Sequence, residues 1–209
     1  MGIDISNIIW LFDKGGVLMY PLTLMSIVSM SIIIERIIFY CTRGKFAQRF
    51  VDDVLDCVKA EQYDVAIEKC KTSKKLISDV LLMGLQNHSC DKRTLDEMIE
   101  KKCNDVASSL SSYLQVLSII VSSAPMLGFL GTIIGLIRSF MEMSNSDVIT
   151  PNILASGLYE AMLTTAAGLM VSIIADLGFR LLVAYKNKIL YGIETQANSF
   201  INLKMDHQK

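Results

Sequence analysis

Three long apolar stretches divide this chain and predict three membrane-spanning helices. They cover residues 17–34, 114–137 and 161–175, and a helix needs ~20 such residues to cross the hydrocarbon core of a bilayer. The third stretch reaches that length only if Glu160, Asp176 or both lie within the membrane. Because no segment shows the alternation of a strand, the sequence predicts an all-α integral membrane protein.

The polar sequence between the first two spans also follows a helical pattern. Apolar residues recur at intervals of three and four from Phe46 to Val58 and again from Leu76 to Leu85. No Pro or Gly interrupts residues 92–112, so we expect the second span to continue into this polar segment as one long rod. The tail beyond Lys186 predicts a similar extension of the third span. The predicted segments are an interfacial helix or an extension of the first span at 1–14, transmembrane helices at 15–41, 113–141 and 157–185, a helical domain at 42–112, a short loop at 142–156 and a terminal helix at 186–209.

The distribution of charge predicts how the spans are oriented. Residues 43–112 carry 12 Lys and Arg and 12 Asp and Glu, whereas the connection at 141–156 has no Lys or Arg. Because loops rich in Lys and Arg stay in the cytoplasm, we expect the polar domain and the C-terminus inside. The N-terminus and the short loop at 142–156 are then outside.

The composition narrows the class of protein further. Hydrophobic residues make up 52 % of the chain and its mean hydropathy is +0.43, as expected for a membrane protein. The 20 Lys and Arg nearly cancel the 21 Asp and Glu, so no basic surface is predicted for nucleic acid. The five cysteines lie in or beside the predicted cytoplasmic segment without C-x-x-C spacing, so we expect reduced thiols. We expect no metal or cofactor site, because His88 and His207 are isolated.

Small and hydroxyl-bearing residues form one face of the second span. They advance by three or four positions and, at about 100° per residue, fall within roughly 160° of arc. This face comprises Gln115, Ser118, Ser122, Pro125, Gly128, Thr132, Gly135 and Ser139. Small residues allow transmembrane helices to approach closely, so helix packing alone is one explanation of the face.

The third span has a similar face that also carries a carboxylate. It comprises Gly157, Glu160, Ala161, Thr164, Thr165, Gly168, Ser172, Ala175 and Asp176. An ionisable side chain within a span costs at least ~2.5 kcal/mol and normally faces a protein or aqueous interior, which makes Glu160 the strongest indication of an ion path. Asp176 is weaker evidence for an ion path, because it lies near the cytoplasmic end and an interfacial charge facing Arg180 one turn further on is the alternative.

An antiparallel arrangement of the two helices aligns several of these residues. If the hairpin is centred near residues 148–149, Thr132 and Thr165 lie at equal depth and their hydroxyls share one layer of the bundle. Arg138 is then level with Glu160. Because Arg138 points away from the small-residue face of its own helix, we expect it to reach the outer head groups or another subunit rather than Glu160.

These residues leave two functions open. Three spans cannot enclose a pore, but a symmetric ring of subunits would turn Thr132, Thr165 and Glu160 into rings of polar groups. The alternative is a structural membrane scaffold whose small faces only pack helices. No nucleophile–base pair, metal cluster or phosphate loop supports an enzyme.

The motifs of the three spans resemble the MotA/TolQ/ExbB proton channel family. They are APMLGFLGTIIGLIRSF at 124–140 and LYEAMLTTAAGLMVSI from Leu158, with a first span that ends in Glu-Arg at 35–36 like that of ExbB. Three spans and a short chain favour the ExbB/TolQ branch over the flagellar MotA branch. The third span departs from the family pattern at Ile174, where a proline is usual.

The resemblance implies a homopentamer in the bacterial inner membrane. Such a ring encloses a single-pass ExbD/TolR-like partner and drives a TonB- or TolA-like protein with the ion motive force, most readily of H⁺, with Na⁺ as the other possibility. By motif, Thr132, Thr165 and Glu160 match the channel-lining positions of the family. Thr164 and Ser122, on the same faces, are further candidates for the ion path. The predicted packing residues are Gly128, Gly131, Gly135, Gly168 and Pro125.

Overall fold

A computed structural model describes residues 15–44, 48–60, 62–87, 90–145 and 151–207, with side chains placed except at 151–154 and 204–207. The regular structure within these ranges is entirely helical, which agrees with the all-α prediction. The helices are α1 (Met19–Thr42), α2 (Gln48–Lys59), α3 (Tyr63–Thr72), α4 (Leu76–Gln86), α5 (Lys92–Ser111), α6 (Leu114–Ser144) and α7 (Pro151–His207). The interfacial segment predicted at 1–14 lies outside the described residues.

Among the described residues, three stretches of helix are long and apolar enough to cross a membrane, as the hydrophobic pattern predicts. They are Met19–Thr42, Lys92–Ser144, which includes both α5 and α6, and Ala155–Leu203. Only 17 %, 28 % and 17 % of their most apolar windows are buried in the chain. The apolar side chains left exposed are the surface that lipid or neighbouring subunits would cover.

The described chain divides into two compact units. The apolar unit comprises the residues up to Ile34 together with Tyr113–Arg180, and the polar unit comprises Glu35–Ser112 together with the residues from Leu181 onward. Helices α1 and α7 contribute residues to both units.

Within the apolar unit, α6 and α7 pack against each other as an antiparallel hairpin. The two backbones approach closely at Gly128 and Gly168, since a Cβ atom added to Gly168 would lie 2.6 Å from the Ala124 carbonyl oxygen and 3.0 Å from Gly128 Cα. Only glycine permits backbones to approach this closely. In the same unit, Gly178 of α7 accommodates the side chain of Ile33 of α1.

The polar unit has its own hydrophobic core, formed by α2 to α5 and the end of α7. Fully buried side chains come from each of these helices, including Val54, Leu81, Leu95 and Phe200. The backbone at Gly84 packs closely against the Phe200 ring, since an added Cβ would be 2.6 Å from Cε1 of that ring. The predicted extension of the third span is confirmed, because α7 continues without interruption to His207.

The predicted continuous rod from residue 92 into the second span is wrong. Helix α5 ends at Ser111 and α6 begins at Leu114, with Tyr113 in the left-handed region at φ 62°. That conformation costs a non-glycine residue roughly 1–2 kcal/mol.

The end of α5 is stabilised by side chains of α1. The Arg36 guanidinium donates to the Ser109 carbonyl at 3.0 Å, and the Tyr40 hydroxyl donates to the Leu110 carbonyl at 2.6 Å. The last carbonyls of a helix have no partner within it, so these distant donors satisfy groups that the break in the rod exposes.

Candidate ion-path site

The face predicted for the third span is the one that α7 buries. Five of its residues are buried and the other four, Glu160, Thr165, Ser172 and Asp176, are half-buried. The opposite side carries exposed apolar residues such as Met162, Met170 and Ile173. The helical period therefore identified the inward side of α7.

The buried face of α6 is rotated relative to the predicted one. Its buried residues are Leu114, Leu117, Ile120, Ala124, Gly128, Gly131, Gly135 and Ser139. At about 100° per residue, the centre of this buried face is rotated around the helix axis by roughly 75° from the centre of the predicted face. Gln115, Ser118 and Ser122 are consequently exposed, while Pro125 and Thr132 are half-buried. We call Gln115, Ser118 and Ser122 the open edge of α6.

The expectation that Arg138 avoids Glu160 is wrong. Nη1 of Arg138 lies 2.9 Å from Oε2 and 3.1 Å from Oε1 of Glu160. The mirror about residues 148–149 placed the two residues level, and the rotation of α6 turns Arg138 toward α7. The Glu160 side chain is only 19 % exposed, whereas that of Arg138 is 50 % exposed.

Gly16, just before α1, covers another side of the Glu160 carboxylate. Its backbone has φ +71°, and a Cβ atom added there would overlap Oε1 of Glu160. An L side chain is excluded by both the conformation and the contact. Sequence reasoning did not assign this residue to the site; the Gly15-Gly16 pair before the first span was the available signal.

The hydroxyls of Thr132 and Thr165 lie at the same level of the hairpin. Thr132 Oγ1 donates to the Phe129 carbonyl at 2.6 Å. Thr165 Oγ1 lies 3.1 Å from the adjacent Gly128 carbonyl of α6 and 3.2 Å from the Ala161 carbonyl of its own helix. Because the Phe129 and Gly128 carbonyls belong to consecutive peptide groups of α6, the shared layer expected from equal depth is present. Each hydroxyl uses its proton on a carbonyl, which leaves its oxygen lone pairs as acceptors.

Thr164 occupies the centre of the helix–helix contact. Thr164 is 1 % exposed, and its Oγ1 donates to the Glu160 carbonyl at 2.7 Å. A Cβ added to Gly131 would lie 2.6 Å from the same Thr164 Oγ1. Ser122, in contrast, is exposed and donates to Ile119 of its own helix at 3.0 Å. Of the five predicted path residues, Glu160, Thr164, Thr165 and Thr132 lie at the hairpin interface or its margin, while Ser122 lies on the open edge.

Of the two interpretations of Asp176, the structure contains the ion pair with Arg180. Arg180 Nε lies 2.8 Å from Oδ2 of Asp176, four residues away on α7. The arginine side chain is 74 % exposed, so the pair contributes little to stability. Within the described residues, no group of three or more His, Cys, Asp or Glu side chains is arranged to hold a metal ion.

The fold is that of a membrane protein with three membrane-length helices. An ion pair and a layer of hydroxyl groups lie between two of these helices. Residues 72–195 match the MotA/TolQ/ExbB proton channel family. The chain belongs to this family.

Relatives within the family bear ExbB and TolQ names. An ExbB-like 1 biopolymer transport protein of Synechocystis is 34 % identical over 181 residues, which cover 85 % of this chain and 71 % of the relative. Biopolymer transport protein exbB1 of Vibrio cholerae is 29 % identical over 195 residues, covering 91 % and 85 % of the two chains. The Tol-Pal system protein TolQ of Haemophilus influenzae is 31 % identical over 86 residues, covering 41 % and 38 %. These similarities place the chain with the ExbB/TolQ branch, as its motifs predicted.

Proposed function

We propose that this chain is the stator subunit of an ion-driven motor in the bacterial inner membrane. The motor couples the proton motive force to work on an outer-membrane process such as TonB-dependent import. The observation that carries the proposal is the Glu160 carboxylate, which lies between two membrane helices and is held there by Arg138. Helix packing alone does not require an ionisable pair at this depth.

The proposed assembly is a homopentamer around a single-pass ExbD/TolR-like partner. The open edge of α6 supports this assembly, because its Gln115, Ser118 and Ser122 side chains are exposed in the single chain and polar residues of a span normally face protein or water. The partner would supply a membrane carboxylate and pass motion to a TonB- or TolA-like protein. In this arrangement the N-terminus is outside, and the polar unit and C-terminus are cytoplasmic.

In this mechanism Glu160 takes up and releases the proton. Protonation of a Glu160 oxygen cancels the charge that holds Arg138, so proton uptake is coupled to release of the guanidinium. A carboxylate on the partner is a suitable acceptor for the released guanidinium. Thr132 and Thr165 present acceptor oxygens in one layer, with which water or a hydronium ion can form hydrogen bonds.

The surroundings of Glu160 favour H⁺ over Na⁺. Both carboxylate oxygens lie within 3.1 Å of the Arg138 Nη1 atom, and Gly16 fills the space beside Oε1. A metal cation needs several oxygen ligands in place of its hydration shell, whereas a proton needs only one lone pair.

Two substitutions test the proposed ion path. Glu160→Gln and Thr165→Ala, each made in the chain co-expressed with its partner, should preserve the oligomer and reduce proton flux into proteoliposomes at least ~10-fold, the range expected when a positioned proton-transfer group is removed. Flux is followed with a pH-sensitive dye inside the vesicles. Thr195→Ala is the matched control, because the exposed Thr195 hydroxyl donates to Tyr191 of its own helix. Unchanged flux in both path variants would disprove the site assignment.

A scaffold remains the second candidate because of the close glycine contacts between α6 and α7. A scaffold predicts the reverse pattern of results. Gly131→Leu or Gly168→Leu would disperse the oligomer, while Glu160→Gln and Thr165→Ala would leave the cellular process at full activity. Growth that depends on the energised process, measured beside the oligomer's mass, separates the two functions.

A further inference from the structure

Pro125 leaves one carbonyl of α6 without its helical donor. In an α-helix each carbonyl accepts from the N–H four residues later, and proline has no N–H. The carbonyl that loses its helical donor because of Pro125 is therefore that of Val121. Within a membrane helix, such a carbonyl needs another donor, because lipid offers none.

The donor in this structure is a hydroxyl of the neighbouring helix. Ser172 Oγ of α7 lies 2.7 Å from the Val121 carbonyl oxygen, and the Ser172 side chain is half-buried. The bond differs from those of Ser31 and Ser139, whose hydroxyls donate to carbonyls of their own helices.

A second bond of the same kind lies two turns away. The Thr165 hydroxyl of α7 is shared between the Gly128 carbonyl of α6, at 3.1 Å, and the Ala161 carbonyl of its own helix, at 3.2 Å. The two donors are seven residues apart on α7, and the two acceptors are seven residues apart on α6. Because the helices are antiparallel, these bonds lie on either side of Gly168, where an added Cβ would be 2.6 Å from the Ala124 carbonyl oxygen of α6. A slip of one helix by a single turn would break both bonds.

We infer that Ser172 is a positioning residue that replaces the hydrogen-bond donor lost at Pro125 and thereby sets the register between α6 and α7. The register determines which side chains share a level, including Thr132 with Thr165 and Arg138 with Glu160. Ser172 acts through the Val121 carbonyl and not by contact with the ion. Its effect on transport rests on the proposed function, whereas the hydrogen bond itself can be tested without it.

Solid-state NMR of the assembled full-length protein in lipid tests the hydrogen bond directly. Labelling valine carbonyls with ¹³C and serine nitrogens with ¹⁵N selects three peptide bonds, at 28–29, 121–122 and 171–172. Ser172→Ala removes the third signal and should shift the Val121 carbonyl resonance upfield, toward that of a carbonyl without a donor. The Val28 signal is the internal reference. A Val121 resonance that does not move on this substitution would overturn the assignment.

A double-mutant cycle tests the link between Ser172 and Pro125. Ser172→Ala should lower proton flux about tenfold, as expected when a carbonyl to which lipid offers no donor loses its hydrogen bond. Ser172→Thr, which keeps the hydroxyl, should restore most of the flux. In a Pro125→Ala background the new N–H of residue 125 can reach the Val121 carbonyl, so the further loss caused by Ser172→Ala should be below about twofold. Ser31→Ala controls for removal of a membrane hydroxyl.

The outcomes distinguish this inference from the proposed function. An equal loss for Ser172→Ala in both backgrounds would show that Ser172 does not act through the Val121 carbonyl. If the protein conducts no protons in any form, the proposed function fails, and the Val121 resonance then decides the role of Ser172. If Ser172→Ala does not assemble, the comparison uses Ser172→Thr and the double variant that combines Pro125→Ala with Ser172→Ala. Failure of this double variant to restore assembly would contradict the inference.

Discussion

At the scale of single residues, the environment of Glu160 combines charge compensation with close backbone packing. Arg138 binds both carboxylate oxygens. The backbone of Gly16 lies against one of them, at a position where any side chain would overlap that oxygen. Removing one partner of a desolvated ion pair destabilises the folded protein by more than the intact pair stabilises it, because the other charge is left uncompensated. The half-exposed Arg138 side chain lowers that penalty, since it is able to withdraw toward water.

The cysteines give a prediction at this scale. Burial raises the pKa of the Cys70 thiol to about 11, with Asp79 and Cys57 adding smaller effects in the same direction. Burial also raises the pKa of Cys103, assisted by Glu194 and Glu100. Since the thiolate is the reactive form, very little of it forms at Cys70 near pH 8.

We expect N-ethylmaleimide at pH 8 to modify the exposed Cys41 well before Cys70 and Cys103. Peptide mass spectrometry of the native protein measures the order, and the labelling rate of Cys70 should rise with pH up to about 11. Unfolding in guanidinium removes the difference, which is the control. Equal rates for Cys41 and Cys70 in the native protein would contradict the buried position of Cys70.

At the scale of elements, the α6–α7 hairpin is held by glycines that permit contact and hydroxyls that cross it. Gly131 receives the side chain of Thr164, and Gly135 approaches the Gly157 carbonyl, 2.9 Å from the position of an added Cβ. The break at Tyr113 belongs to the same scale. No glycine marks it, and the donors that stabilise the preceding helix end come from α1.

We expect Gly131→Leu to destabilise the hairpin by about 1–3 kcal/mol or to prevent its assembly, because overpacking forces side chains and backbone apart. An added Cβ would already lie 2.6 Å from Oγ1 of Thr164, which is only 1 % exposed. Ile133→Leu, on the exposed side of the same helix, is the matched control. The midpoint of thermal unfolding in detergent should fall only for the glycine variant, and equal midpoints would refute the contact.

At the scale of the whole molecule, the single chain leaves both apolar and polar surfaces of its spans exposed. Lipid can cover exposed Met126 and Phe129, but the open edge of α6 carries Gln115, Ser118 and Ser122. Polar residues within spans are normally directed at protein or water. This edge is the surface on which we expect a neighbouring subunit or the partner's helix to pack.

Native mass spectrometry from nanodiscs should therefore detect an assembly of five chains of 23.3 kDa each with bound partner. Ser122→Leu should weaken that assembly without changing the unfolding midpoint of the hairpin, since Ser122 is exposed in the chain. Ile119→Leu, an exposed apolar position on the same helix, should leave the mass unchanged. A monomer that carries out energised work would contradict the proposed ring.

The amino-acid sequence by itself determined the number of spans, the inward side of α7, the common level of Thr132 and Thr165, and the Asp176–Arg180 pair. Each depends on helical period or chain length, which are local properties that hydrophobic pattern reveals. Tertiary structure decided which part of the small-residue arc of α6 meets α7, and with it the Arg138–Glu160 pair. It also decided the break at Tyr113 and the closure of Gly16 over Glu160. These features depend on where a partner helix lies and which distant groups it brings, and the period of one helix contains no information about the position of another.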